Sequence, residues 1–289
     1  MKLKGRYAVV TGASRGLGKS IAKQFLIEGA SVMLCARDAE ALQDTQKELS
    51  ALLNDDQALF AQRADVSQIS QVNRLVKNTL AKFPRVDILV NNAGIYGPKG
   101  LLEEADWKEW VKTVQINLLG VVCVSRAFLP NFKKHRHGKI INLSGGGATH
   151  PLPRLSAYAT SKAAVVRFTE TLAEELRDFG IDVNAIAPGA LNTRLLDEVL
   201  EAGPEKVGHD FYDKAKKQKK EGGTALNKGA SLCVFLASGE SDGITGKLIS
   251  AVWDPWPDLK KFKTDIHGTD IYTLRRIVPK DRGKTWGEP

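Results

Sequence analysis

A doubly wound parallel α/β sheet of about seven strands is the fold class this sequence predicts, and three observations predict it. Apolar runs of strand length recur along the chain. An amphipathic helical run separates each from the next. Runs such as V-D-I-L-V and K-I-I-N-L are apolar without alternation, as strands covered by helices on both faces must be. The expected strands are 7–10, 31–35, 58–63, 86–90, 139–143, 182–186 and 247–252. Right-handed crossovers then bring every carboxyl end to one edge of the sheet, which is where ligands of open α/β sheets bind.

The first strand runs straight into T-G-A-S-R-G-L-G and then into a helical pattern carried by Ile21, Ala22, Phe25 and Leu26. Strand, glycine turn and helix in that order suit a dinucleotide. Gly12 permits a tight turn, Gly16 a close backbone approach to a pyrophosphate, and Gly18 close helix packing, while the helix N-terminus favours the anion. A glycine turn with no ligand has the same sequence. The strand at 86–90 closes on N-N-A-G at the sheet edge. Asn117, in Q-I-N-L-L-G, is an amide in an apolar helical stretch and must find hydrogen bonds, as a satisfied core residue also would. Tyr158 and Lys162 stand four apart in S-A-Y-A-T-S-K-A-A, so one helix face carries a phenol and an ammonium. A phenol ionises near pH ~10, and a cation one turn away can bring it within reach of proton transfer.

In this order, with P-G-A-L-N-T at 188–193, these motifs resemble the short-chain dehydrogenase/reductase family in its single-domain, Rossmann-like form, over about residues 3–249. The resemblance implies Tyr158 as catalytic acid/base, Lys162 as the group that lowers its pKa and holds the nicotinamide ribose, and Asn117 as support for a proton-relay water. It implies cofactor contacts at Gly12, Ser14, Arg15, Gly16, Leu17 and Gly18, at Asn92, Ala93 and Gly94, and at Asp65 and Val66 beside the adenine. Pro188, Gly189, Leu191 and Thr193 would flank the nicotinamide. One position departs from the family. A serine usually stands 13 residues before the tyrosine, and here that residue is Gly145. Ser144 takes over, or Thr149 or His150 does, or ordinary carbonyl reduction has been given up. The preserved tyrosine, lysine and asparagine favour a substitute donor, with Ser144 taken as the catalytic hydroxyl. The run 145–147 leaves room at this edge.

NADP is the expected cofactor, ahead of NAD. NAD-preferring relatives carry an acidic residue at the end of the second strand, where this chain has Ala36. Arg37 follows, and with Arg15 it offers two guanidinium groups to a 2′-phosphate. The competing reading makes Arg37 a solvated charge at a helix start, with Asp38 as the cap.

A chain of 289 residues, 43% hydrophobic and 26% charged, is enough for one globular domain. That domain is expected at 1–250, with a lid at about 193–227 and an extension at 251–289. No apolar leader and no membrane-length apolar run is visible, so the expected setting is cytoplasmic, without a membrane partner. Cys35, Cys123 and Cys233 lack paired spacing and read as reduced core residues, and no metal-ligand cluster is expected. The net charge of +9 is dispersed or confined to lid and tail, without a nucleic-acid groove. Lys214, Lys216, Lys217, Lys219 and Lys220 crowd the lid, either as a solvated helix face or as a collar for an anionic substrate such as a phosphorylated sugar or a carrier-bound acid, with Gly222 and Gly223 as a hinge. The tail carries Trp253, Trp256, Phe262, Tyr272 and Trp286, and is expected to fold back on its own subunit or a partner's. A homodimer or homotetramer is what the resemblance implies. The activity expected is hydride transfer between NADP and a carbonyl or alcohol carbon of a small molecule. Alternatives are an epimerase or dehydratase oxidising its substrate transiently, or an impaired NADP-binding protein.

Overall fold

The computed structural model describes residues 1–286, so residues 287–289 of the expected extension lie outside the described residues. Seven parallel strands form one sheet in the order β3-β2-β1-β4-β5-β6-β7: β1 (Tyr7–Thr11), β2 (Ser31–Ala36), β3 (Leu59–Arg63), β4 (Ile88–Asn91), β5 (Gly138–Leu143), β6 (Ile181–Ala187) and β7 (Leu248–Ser250). Alternate residues of each strand serve opposite faces. Val10, Leu34, Val90, Ile141 and Ile186 meet α1 (Gly16–Ile27), α2 (Ala39–Ser50) and α9 (Leu226–Ala237). Val9, Met33, Leu89, Ile140 and Val183 meet α3 (Ile69–Lys82), α5 (Gly120–His135) and α6 (Ser156–Glu175). Both faces are thus covered, which explains why the strands are mostly apolar without alternation.

The fourth strand begins at Ile88 rather than at residue 86 because Val86 is already bonded elsewhere. Asn131 of α5 accepts from Val86 N at 3.3 Å and donates to Val86 O at 2.8 Å. Asp87 follows, its carboxylate accepting from Tyr7 N at 2.9 Å. The last strand is shorter than expected, since Asp254 folds back to accept from Ser250 N at 2.6 Å.

A helical run, Trp107–His135, joins α4 (Trp107–Val114), a π-helical turn (Gln115–Leu119) and α5. By length and composition it could cross a membrane, but it forms part of the helical layer against the sheet. The lid region holds α7 (Arg194–Val207), kinked at Gly203, and α8 (His209–Glu221). Cys35 and Cys233 are buried and all three cysteines are unpaired. Burial pushes the Cys35 thiol up to about 12.

The tail lies along its own chain. Leu259 and Ile266, the latter in α10 (Lys263–Ile266), join the core beside α9, and the Trp256 ring stands 5.9 Å from that of Phe235. Tyr272 O accepts from Leu248 N at 2.8 Å, which satisfies a donor on the outer edge of β7. Leu274 N donates to Glu170 Oε1 at 2.6 Å. That contact is twelve residues along α6 from Tyr158, roughly 18 Å, so the chain at Leu274 lies away from Tyr158. Of the tail's aromatic residues, Trp256 and Tyr272 pack against the core, whereas Trp253, Trp286 and Phe262 are 85%, 71% and 45% exposed.

Candidate active site

Tyr158 and Lys162 occupy the first turns of α6 and face inward, 8% and 5% exposed. Lys162 Nζ donates to Leu143 O, at the end of β5, at 2.7 Å, and stands 5.7 Å from the centre of the Tyr158 ring. Burial without a carboxylate lowers Lys162 to about 8. Burial also pushes the Tyr158 phenol well above its ordinary value, and the neighbouring Tyr96 hydroxyl adds to that shift. The lysine alone does not bring the phenol down.

Asn117 lies within the π-helical turn and is fully buried. Its Oδ1 accepts from Ile95 N at 2.9 Å, and its Nδ2 donates to Ile95 O at 2.9 Å and to Ser161 Oγ at 3.0 Å. Ser161 Oγ in turn donates to Tyr158 O at 2.7 Å. The amide therefore clips the loop after β4 to α6, and it is a satisfied core residue. Gly94 is exposed between them: a β-carbon there would lie 3.2 Å from Asn117 Oδ1 and 3.6 Å from Lys162 Nζ.

The glycine turn is wrapped by the second motif. Asn92 Nδ2 donates to Thr11 O at 3.0 Å and Gly12 O at 3.1 Å, and Thr11 Oγ1 accepts from Asn92 N at 3.0 Å and Ala93 N at 3.2 Å. Gly12 and Gly16 have φ of 65° and 55°, where a side chain would be strained. A β-carbon on Gly18 would stand 2.3 Å from Gly12 O. Ser14 O is held by Thr45 Oγ1 at 2.8 Å, and Leu17 packs inward toward Gly229 of α9. Thr193, the residue before α7, faces the turn, its methyl 3.5 Å from where a Gly16 β-carbon would be. Gly189 is pressed between Thr224 and Val252, Pro188 packs on Gly229, and Leu191 packs against the core. A helix N-terminus lined by glycines, opening toward Thr193 and running to Gly94 and Lys162, fits a dinucleotide's pyrophosphate and ribose.

At the far end of this edge, Ala36 pairs with Arg63 across β2 and β3, and Arg63 Nε donates to Arg37 O at 3.1 Å. Arg15 reaches Asp38 at 2.8 Å, while Asp38 caps α2 by accepting from Ala41 N at 3.2 Å. Arg63 thus joins Arg15 and Arg37 at this end of the edge through the Arg37 backbone, and Arg15 is partly neutralised by Asp38. Asp65 Oδ1 accepts from Ser67 N at 2.9 Å and Ser67 Oγ at 2.7 Å, and Val66 is buried against Gly120.

The room expected at Gly145 is filled. A β-carbon there would lie 2.3 Å from the Tyr158 hydroxyl, so the phenol occupies the space of the missing side chain. Gly147 is likewise pressed on Ala159, and only Gly146 of the three is open. Ser144 is buried, its Oγ without a partner among the described residues. Thr149 and His150 are exposed and bonded to each other at 2.9 Å.

Sequence reasoning missed Tyr96, whose ring meets that of Tyr158 edge-on at 4.6 Å. The only signal was an aromatic residue two places after N-N-A-G. Tyr96 also belongs to the lid's small core with Leu196, Val199, Phe211 and Tyr212. Lys99 pairs with Glu198 of α7 at 3.7 Å and Lys206 with Glu104 at 3.4 Å, so the lid is docked on the loop after β4. A cavity of about 520 Å³ between them is lined by Arg37, Ile95, Lys99, Arg194 and Glu198. The five lid lysines are exposed, and Lys219 is paired with Asp197 at 2.6 Å. Gly222 is unhindered, but Gly223 is packed on Ala190 O and Asn192, so a hinge would need to break that packing. Among the described residues no group of His, Cys, Asp or Glu could hold a metal ion.

A family model described as short chain dehydrogenase matches residues 6–203. The chain is 34% identical over 256 residues to the (2S)-[(R)-hydroxy(phenyl)methyl]succinyl-CoA dehydrogenase subunit BbsD of Thauera aromatica, covering 86% of this chain and 96% of that one. Its fold is similar to NAD+-bound xylitol dehydrogenase, with a TM-score of 0.79, 25% identity, and 86% and 98% of the two chains covered. It is also similar to a gluconate 5-dehydrogenase from Burkholderia cenocepacia in complex with NADP and tartrate, with a TM-score of 0.75, 28% identity, and 86% and 94% covered.

Proposed function

The chain belongs to the short-chain dehydrogenase/reductase family, the nicotinamide-dependent oxidoreductases, and on that premise we propose an NADP-dependent reductase or dehydrogenase acting at a carbonyl or alcohol carbon. The observation that carries the reading is the convergence of Gly94, Asn117 and Lys162 within 4 Å of one point, one helical turn from Tyr158. Bound along the glycine turn, the nicotinamide cofactor supplies or accepts the hydride. Tyr158 gives the proton to the substrate oxygen, or takes it. Lys162, fixed by Leu143 O, keeps a positive charge under the phenol ring, and Asn117 holds the helix and the Ile95 loop in register. Ser144 remains the proposed hydroxyl donor, supported by its unpartnered Oγ beside Gly145.

NADP is preferred because Ala36 stands where an acidic residue would otherwise select NAD and Arg37 and Arg63 flank it, a point the two solved relatives leave open. Asp65 and Val66 would bound the adenine. An anionic substrate, such as a carrier-bound acid, suits the exposed lysines of α8, and the Thauera relative is named for a coenzyme A ester. Unpaired cysteines suit a cytoplasmic setting, and exposed Trp107, Trp253 and Leu119 suit a homo-oligomer. A second reading, an NADP-binding protein without turnover, is favoured by one observation, the raised phenol beside a glycine.

Purified protein given NADPH with a panel of ketones and acyl thioesters tests the choice. Net loss of NADPH fluorescence supports the reductase. Product formation with no net loss points to an epimerase or dehydratase, and tight NADPH binding with no reaction supports the binding protein.

A further inference from the structure

The Tyr158 hydroxyl occupies the place a side chain at 145 would take, and something must hold it there. A β-carbon at Gly145 would be 2.3 Å from the phenol oxygen and 3.3 Å from Cζ, roughly an ångström inside ordinary contact. A free phenol could swing clear of such a carbon at little cost. This one is walled in: Tyr96 meets its ring edge-on at 4.6 Å, and behind Tyr96 stand the lid residues Leu196, Val199, Phe211 and Tyr212. Lys99 lies 5.9 Å from the Tyr96 ring and is tied to Glu198 of α7, so the wall is anchored to the lid on both sides.

We infer that Tyr96 is a positioning residue that presses the Tyr158 hydroxyl against Gly145, so that Tyr96 and Gly145 are matched and the glycine is required by the aromatic neighbour. The inference rests on the reading of Tyr158 as acid/base, but its geometry does not. Burial raises both phenols; Tyr96 adds to the shift at Tyr158, while Glu198 of the lid adds to the shift at Tyr96. It follows that the absence of a side chain at 145 and the position of the Tyr158 oxygen are one feature, and that the lid, through Tyr96, sets how close that oxygen stands to Gly145.

Four proteins test this: wild type, Gly145→Ser, Tyr96→Val, and the double variant, each compared by thermal unfolding, NADPH affinity and turnover of the best panel substrate. In the wild-type background Gly145→Ser is expected to lower the melting temperature by roughly 3–8 °C and turnover by about tenfold or more, with NADPH affinity within a few-fold. In the Tyr96→Val background the same substitution is expected to cost less than about 2 °C and to leave turnover equal to or above that of Tyr96→Val alone. Rescue of this kind is not expected of two residues that only contribute separately to stability. Equal costs in both backgrounds overturn the inference. If Gly145→Ser does not fold, Gly145→Ala carries the same β-carbon and is compared in the same two backgrounds. Tyr96→Phe, which keeps the ring, is expected to behave as wild type toward Gly145→Ser. The unfolding coupling needs no turnover, so its failure is distinguishable from failure of the reductase reading.

Discussion

Lys162 Nζ stands 5.7 Å from the centre of the Tyr158 ring and donates to Leu143 O, so the ammonium is held beside the phenol ring by the β5 backbone rather than by a hydrogen bond to the phenol. The proposed influence of the lysine on the tyrosine is therefore exerted as a field across the ring and depends on the lysine keeping its proton in a buried site.

That dependence gives a pH signature. Burial holds Lys162 at about 8, below the ordinary lysine value, so the cation is complete below that pH and is lost as pH rises through it. Turnover in the reductive direction is expected to fall above pH ~8, and Lys162→Met is expected to remove that limb along with most of the activity. The stability sign runs the other way. Between about 8 and the unfolded lysine value of 10.5 the unfolded chain holds more protons, so the contribution of this group to stability rises with pH in that window. Denaturant unfolding at several pH values, wild type against Lys162→Met, checks it.

Arg37→Ala is expected to weaken NADPH binding about 10–100-fold through lost charge-assisted bonds and to leave NADH within about twofold. Fluorescence titration with both cofactors checks the discrimination. Arg63→Ala is expected to do the same more weakly, because Arg63 positions Arg37 O.

Asn117→Ala is expected to cost about 2–4 kcal/mol, since Ile95 N, Ile95 O and Ser161 all lose a buried partner. Chemical denaturation measures it, and a cost under 1 kcal/mol is the contrary result.

Leu259→Ala in the tail is expected to destabilise by about 2–5 kcal/mol, as for a core leucine, whereas Trp253→Ala is expected to stay within about 0.5 kcal/mol in the monomer. A dilution series of both variants by thermal unfolding separates the two. A concentration-dependent cost at Trp253 would mark that side chain as part of the proposed oligomer contact.

The strands and their carboxyl-edge motifs were legible because burial on both faces leaves runs such as V-D-I-L-V mostly apolar rather than alternating, and turn glycines mark where they end. The ends of β4 and β7 were not legible, because Asn131 and Asp254 intercept the backbone from residues remote or irregular in sequence. Position 145 was recognised as unusual, but the sequence reading left it as open space. Its occupant is Tyr158 itself, brought there by Tyr96, which no periodicity connects to either residue. Arg63 and the Arg15–Asp38 pair escaped for the same reason: strand register and loop packing, not local spacing, bring them to Arg37.

The central proposal, that Tyr158 carries the proton for hydride transfer, is tested most directly by Tyr158→Phe assayed for turnover and NADPH affinity together. The expected result is a loss of turnover of about a thousandfold with NADPH affinity within a few-fold of wild type. Turnover that survives in the phenylalanine variant contradicts the assignment.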